Sequence, residues 1–469
     1  MTTMKTINRD SLESSLNFYK KVFFIAVPIA LQSLITIGVN MLDTMMVGKL
    51  GDDALSATAL ANSFISVFQI LCMGLGMGAS VLVSRYWGIK NSTDTENHDN
   101  ATRALKQTIC LVLRLVFLLA SLFAIATFLF PGLIMRSYTE KTMIISLGID
   151  YFRYSFITYF FLGLSLVTTI VLRSTGQVLF PLIVSIGAFF VNLGMNYIFI
   201  FGKFGAPEMG VSGAALGTLI ARIFECAMIL SFLFVFDSKI KFMVKDLAMS
   251  TSSLLKEYIR ISIPVLISDG ILALGTNSVA MVIGHLGEVF TAANSITSVT
   301  QQLSTVVITG VCQAGAIVTG ITLGEGDKEK TMKQGYRFFG LGIFLGLISA
   351  LFIFVFSDMI IGFYDNVSLE TAKTAKQLMN AISLIIVFQG TNSIMTKGVL
   401  RGGGDTKILM IADNVFLWAL AIPLGILAGF VFKLPPFWIY ICLKSDQIVK
   451  TFWAFLRLRS KKWIKKISA

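Results

Sequence analysis

Charge is scarce in this chain of 469 residues. Asp, Glu, Lys and Arg together make 14% of it, against about a quarter in soluble domains. With 55% hydrophobic residues and a mean hydropathy of +0.78, that shortage excludes a soluble globular protein. Histidine is nearly missing: His98 and His285 both fall in polar connections, so no cluster exists to hold a transition metal. The cysteines Cys72, Cys110, Cys226, Cys312 and Cys442 are scattered through apolar runs without a CxxC or paired spacing, which gives neither a disulfide framework nor a zinc site. An integral membrane enzyme would need a convergent nucleophile, acid or base set. Nothing of that kind is readable, so no enzymatic activity is expected. The first apolar run is longer than a signal-peptide core and lacks a small-residue cleavage site, so it is expected to be retained.

What fills the chain is long apolar runs. They are continuous for about 20 residues and contain Gly and Pro, so they read as membrane helices and not as the ten-residue alternation of a barrel. Twelve are read, at about 22–46, 54–84, 105–130, 146–172, 179–201, 212–236, 258–284, 291–320, 335–357, 377–400, 408–431 and 437–456. The net charge of +13 is not spread as a nucleic-acid footprint would be. Alternate connections hold 26 and 7 of the 39 Lys and Arg, and the positive-inside rule then places both termini in the cytoplasm. The C-terminal run RLRSKKWIKK is explained by that rule, with a lipid-binding basic patch as the other reading.

The first run reappears. At a constant shift of 236 residues, Pro28, Gly48, Leu50, Gly51, Gly74 and Gly88 fall on Pro264, Gly284, Leu286, Gly287, Gly310 and Gly324. Further on, Val171-Leu172-Arg173 ahead of Gly176 returns 228 residues later as Val399-Leu400-Arg401 ahead of Gly404. The loss of eight residues from the shift is assigned to the polar loop at 91–100. Six helices per half is an even number, so the halves are expected to be related by a pseudo-two-fold axis along the membrane normal. The fold expected is an all-α integral membrane protein of twelve transmembrane helices in two six-helix lobes. Its segments are 1–21, a cytoplasmic lead-in; 22–236, the N-lobe; 237–257, the inter-lobe loop; 258–456, the C-lobe; and 457–469, a basic tail. Two bundles with a cleft between them suit an alternating-access carrier, and no loop resembles a channel filter.

Asp43 lies inside the first apolar run. An acid there costs about 2.5 to 3.5 kcal/mol on insertion scales and marks an ion or substrate path by default. Gln32, Thr36, Asn40 and Asp43 recur at spacings of four, four and three, so they share a helix face. Asn62 and Gln69 repeat the pattern in the second segment, and Asn294 and Gln301 in the eighth. These residues are candidates for a substrate path, with interhelical packing as the alternative. Asn192 and Asn196, at i and i+4 in the fifth segment, bring two amide oxygens to one point, which suits a hard cation such as Na⁺. Asp269, five residues after Pro264, and Asp413 are the acids of the second half. Asp269 is a candidate for ion coupling, and Asp413 for the substrate path or for pairing with Lys397 or Arg401. Arg222 and Glu225, three apart, suit a local ion pair.

Taken together, PIALQSLITIGVNMLDTMMVGKLG at 28–51, the VLRSTGQVLFP and VLRGGGDTK copies, and GVSGAALGT at 210–218 resemble the multidrug and toxic compound extrusion (MATE) family over about residues 20–465. The resemblance implies a twelve-helix secondary antiporter of two lobes, exporting mostly cationic, amphiphilic compounds in exchange for Na⁺ or H⁺. It matches Asp43 to the family's first-helix acid and Asn192 to an asparagine of the DinF-like branch. Asn196 stands where that branch has a second aspartate. The NorM-like acids of the seventh and tenth helices are replaced by Leu272 and Gly390, with Asp269 about one turn from the first. The chain is placed closer to the NorM-like branch.

The expectation is a bacterial plasma-membrane antiporter with Asp43, Asn192, Asn196 and Asp269 in ion coupling. Asp43 with Asn192 is the candidate Na⁺ site. No cofactor is expected beyond the coupling cation. Its partners are small-molecule substrates and membrane lipids, without nucleic acid, and the protein is expected to be monomeric. A lipid-linked oligosaccharide flippase is the alternative, for which Arg114, Arg153 and Arg222 are the intramembrane bases.

Overall fold

The computed structural model describes residues 2–92, 98–363 and 368–465, with side chains from residue 15 onward. Part of the loop 91–100 and the last four residues of the basic tail lie outside the described residues. Among the described residues all regular structure is helical. The crossings are α1 (Thr2–Gly48), α2 (Asp52–Lys90), α3 (His98–Leu129), α4 (Thr142–Ser174), α5 (Leu179–Phe201) and α6 (Gly210–Ser231). The second half has α7 (Ser252–His285), α8 (Glu288–Ser304 and Val306–Gly324), α9 (Lys328–Gly362), α10 (Leu369–Ser393), α11 (Thr406–Phe416) and α12 (Pro436–Leu443 and Ser445–Arg459). Wide π-helical turns extend α6 to Phe236, α10 to Leu400 and, with a short helix between two such turns, α11 to Val431. Eleven helices among the described residues are long and apolar enough to cross a membrane.

The two broken crossings have a local cause. In α8 the hydroxyls of Ser304 and Thr305 bond back to the carbonyls of Thr300, Gln301 and Gln302, and Thr305 leaves helical geometry at φ −97°, ψ 1°. In α12 the break falls at Lys444, and Ser445 bonds back to the Cys442 carbonyl at 2.8 Å. Hydroxyls that compete for backbone carbonyls in this way loosen and bend helices.

The chain gathers into two compact units. Among the described residues, one holds 31–90 and 98–266, and the other holds 2–30, 91–92, 267–363 and 368–465. The chain passes from one unit to the other inside α1 and α7, just past Pro28 and Pro264. An interior proline removes a helical hydrogen bond and lets the helix turn, so the stretch before it packs by its own apolar face. In α1 that face is Phe18, Val22, Ile25, Ala26 and Ile29, all buried. It lies against Gly310 of α8, where a side chain would strike the Ala26 carbonyl. In α7 the stretch before Pro264 buries Tyr258 and Ser262, with Tyr258 donating to the Leu75 carbonyl of α2 at 2.8 Å. A Cβ at Gly74 would meet Leu266 at 2.5 Å. Gly74 and Gly310 are the repeat-related glycines, and each admits the start of a first helix. Small residues at such contacts are how membrane helices approach closely.

The basic tail is not a free run of charge. Trp463 is fully buried, lies where a side chain at Gly403 would collide with it, and donates through its indole to the Leu458 carbonyl at 3.1 Å. Asp405, 1% exposed, accepts two bonds from Arg457 at 2.7 and 3.0 Å, with Lys465 at 3.4 Å.

Candidate functional site

The first unit encloses a cavity of about 350 Å³ lined by α1, α2, α4, α5 and α6. The polar face of α1 opens into it with Thr36, Asn40, Asp43 and Thr44, and α2 adds Asn62, Ser66 and Gln69. The hydroxyls of Thr36, Thr44 and Ser66 satisfy carbonyls of their own helices. The amides and the carboxylate remain for a ligand.

Asp43 is half-buried. Its Oδ1 accepts from Nδ2 of Asn196 at 2.6 Å, and the same amide nitrogen reaches Oδ1 of Asn192 at 3.4 Å. Asn196 thus presents its amide nitrogen, not its oxygen, to Asp43, and Asn192 offers its oxygen to that same nitrogen. Asn196 is fully buried; its Oδ1 has no hydrogen-bond partner and lies against Gly217 of α6, where any side chain would displace it. Thr218 of α6, 3.5 Å from Nδ2 of Asn192, adds a neutral oxygen. Among the described residues no three of His, Cys, Asp and Glu converge as metal ligands. A hard monovalent cation at Asp43 would have one carboxylate, with the oxygens of Asn192 and Thr218 as the neutral candidates, and would have to displace the Asn196 amide nitrogen from Asp43.

Arg222 and Glu225 form the expected ion pair, 2.6 Å apart, and both line the cavity. Tyr151, Ser155 and Thr158 of α4 line it as well, with Tyr151 donating to Asn62 at 3.2 Å. They were missed by the sequence reading, although their i, i+4, i+7 spacing puts them on one face.

The other candidates lie apart from this cavity's lining. Gln32 is buried, donates to Ser185 at 2.6 Å and accepts from Arg173. Asn294, Gln301, Asp269 and Asp413 belong to the second unit. There Gln301 bonds Gln389 at 2.7 Å and Asp269 meets Arg401 at 3.3 Å. Asp413 does not pair with Lys397 or Arg401 as expected. Its partner is Lys450 at 3.5 Å, which also holds Asp446 at 3.0 Å, because the turn of α12 after its break faces Lys450 toward α11.

A helical membrane protein whose crossings enclose a polar, acid-bearing cavity has the build of a small-molecule transporter. The MatE family signature matches residues 28–198 and 264–427, once in each half, and the chain belongs to this multidrug efflux transporter family. It is 26% identical over 457 residues to "Probable multidrug resistance protein NorM" of Thermotoga maritima, covering 95% of this chain and 93% of that one. It is 26% identical over 410 residues to "Multidrug resistance protein NorM" of Burkholderia vietnamiensis, covering 86% and 85%. Its fold is similar to the solved structure "Crystal structure of MATE in complex with MaL6", with a TM-score of 0.83 at 20% identity over 94% of this chain and 97% of that one. It is similar as well to a MOP superfamily transporter from Pyrococcus furiosus, with a TM-score of 0.82 at 20% identity over 94% and 96%. Those MATE structures have twelve helices in two lobes, the architecture expected from the sequence.

Proposed function

We propose that this protein is a secondary antiporter of the bacterial plasma membrane, with both termini cytoplasmic. In this reading it works as a monomer and exports organic, mostly cationic and amphiphilic compounds in exchange for Na⁺ or H⁺. The observation that carries the reading is the carboxylate of Asp43, which lines a cavity of about 350 Å³ and is held there by Asn196. The excess of Lys and Arg in alternate connections, 26 against 7, supports the orientation.

The mechanism is reciprocal linkage. A coupling cation at Asp43 favours the state that releases the organic compound outward, and the compound favours the state that releases the cation inward. Asn40, Asn62 and Gln69 offer neutral hydrogen-bond partners to a mixed apolar and polar ligand, and Phe189 and Ile65 offer apolar surface. The flippase reading has less support. Of the three intramembrane bases, Arg222 lines the cavity but is engaged by Glu225, and Arg114 donates to the Leu247 carbonyl at 2.6 Å.

The test is dye efflux from proteoliposomes under separately imposed Na⁺ and pH gradients. One gradient is expected to drive efflux in the native protein, and Asp43→Asn is expected to abolish the driven component while the protein still folds and inserts. Undiminished efflux from that variant would overturn the assignment.

A further inference from the structure

The two copies of the VLR motif act alike in the two halves. In α4, Nη2 of Arg173 donates to Oε1 of Gln32 in α1. In α10, Nη2 of Arg401 donates to Oδ1 of Asp269 in α7 at 3.3 Å. Gln32 follows Pro28 by four residues, and Asp269 follows Pro264 by five. Both sit at the point where their helix leaves one compact unit for the other, after Ala30 and after Leu266. Each arginine therefore takes hold of a first helix immediately beyond its proline.

The turn that carries each arginine is itself fastened. Beside Arg173, Gln177 donates to Asp237 at 2.9 Å, and Asp237 is held by the backbone amides of Lys239, Ile240 and Lys241. Beside Arg401, Asp405 is gripped by Arg457 and Lys465. An arginine on a fixed base with a planar donor group is suited to set the rotation of a neighbouring helix. For α1 that rotation matters, because Gln32 shares its face with Thr36, Asn40 and Asp43.

We propose that Arg173 and Arg401 are positioning residues that pin α1 and α7 to their own units just past the proline, a permanent pin on Gln32 and a releasable one on Asp269. Each pin confines the bend of its helix to the single turn after the proline. The two halves differ in chemistry, since an amide has no proton to gain, whereas a carboxylate loses its attraction for arginine once protonated. The charged neighbours of Asp269 are few. Arg401 is its partner, and Lys397 lies one turn earlier on α10. The α8 piece Val306–Gly324 carries no charged side chain. Trp418 of α11 reaches the Ile271 carbonyl through its indole, and Asp413 of that helix is already taken by Lys450. On α7 itself the nearest charge is Arg260, nine residues earlier.

The test measures helix position and does not depend on what the protein transports. Spin labels are placed, in a background with the native cysteines replaced, at the exposed Leu274 of α7 and Leu384 of α10. A second pair goes at Leu34 of α1 and Ile183 of α5. Both pairs are expected to give narrow distance distributions at neutral pH. In an Asp43→Asn background, which removes the carboxylate that Asn196 of α5 bonds, acidification is expected to broaden the α7–α10 distribution and to leave α1–α5 narrow. Gln32→Glu is expected to make the α1–α5 distance acid-sensitive too. Arg401→Ala should broaden the α7–α10 distribution at every pH and Arg401→Lys should keep it narrow. The exchange Asp269→Arg with Arg401→Asp should restore it, and this decides the matter should Arg401→Ala fail to fold. An exchanged pair as broad as a lost one, a narrow distribution in Arg401→Ala, or equal acid response in both halves would overturn the proposal.

Discussion

Lys450 holds Asp446 at 3.0 Å from one turn away on the same helix, and its ammonium also reaches Asp413 on α11 at 3.5 Å. All three side chains are at most 5% exposed. Removing the lysine leaves two buried carboxylates without their cation, and breaking a buried ion pair in this way costs about 3 to 5 kcal/mol. Lys450→Met is expected to lower the apparent melting temperature sharply. Adding Asp413→Asn and Asp446→Asn is expected to recover much of the loss, as read by thermal unfolding in detergent.

The bond from Asn196 to Asp43 joins α5 to α1 at the cavity wall. A hydrogen bond to a charged group contributes about 1.5 to 3 kcal/mol, so Asn196→Leu should lower the melting temperature measurably. The same substitution made on Asp43→Asn should cost less, because no charge is then left without its donor. A double-mutant cycle with no coupling between the two positions would contradict the contact.

Asp405 is expected to be among the least tolerant acids in the chain. It is 1% exposed and meets Arg457 through two bonds at 2.7 and 3.0 Å. Asp405→Ala removes that fork and frees the turn beneath Trp463. Intrinsic fluorescence should then shift to longer wavelength as the indole meets water, together with a loss of stability of about 3 kcal/mol or more.

Asp246, in the connection between the halves, sets a pH dependence. Burial pushes its carboxyl up. The hydrogen bond from Lys106 at 2.7 Å, the Met243 amide and the fields of Lys106 and Lys245 outweigh that and hold it below the usual carboxylate range. Its folded value is thus depressed, so its contribution is present above the ordinary carboxylate range and is lost as pH falls through the folded value. An acid unfolding curve that keeps its low-pH slope in Asp246→Asn would contradict this. The neutral-pH loss expected for that variant is about 1 to 2 kcal/mol.

Part of the cavity lining was legible because helix periodicity is linear. Thr36, Asn40 and Asp43 share a face of α1 since spacings of four and three put residues on one side of a helix. Pairings across helices were not legible in the same way. The partner of Asp413 depends on how far α12 turns after Lys444, and no spacing along the chain records that angle. Pro28 and Pro264 were visible as a repeated pair, yet each helix start packs on a glycine of the other sequence half, Ala26 on Gly310 and Leu266 on Gly74, and the register of the repeat does not show that exchange. Ser155 and Thr158 gave no signal because short hydroxyls in an apolar helix ordinarily bond back to their own backbone, as Ser155 does to Tyr151.

The burial of Trp463 has a practical reach. Arg457 and Lys465 are counted among the charges that orient the chain in the membrane, and they also clamp the turn at Asp405. An experiment that neutralises the basic tail to invert the protein would therefore loosen the same unit whose orientation it means to report. Orientation is better probed by adding cations to connections that bear no structural bonds than by subtracting them here.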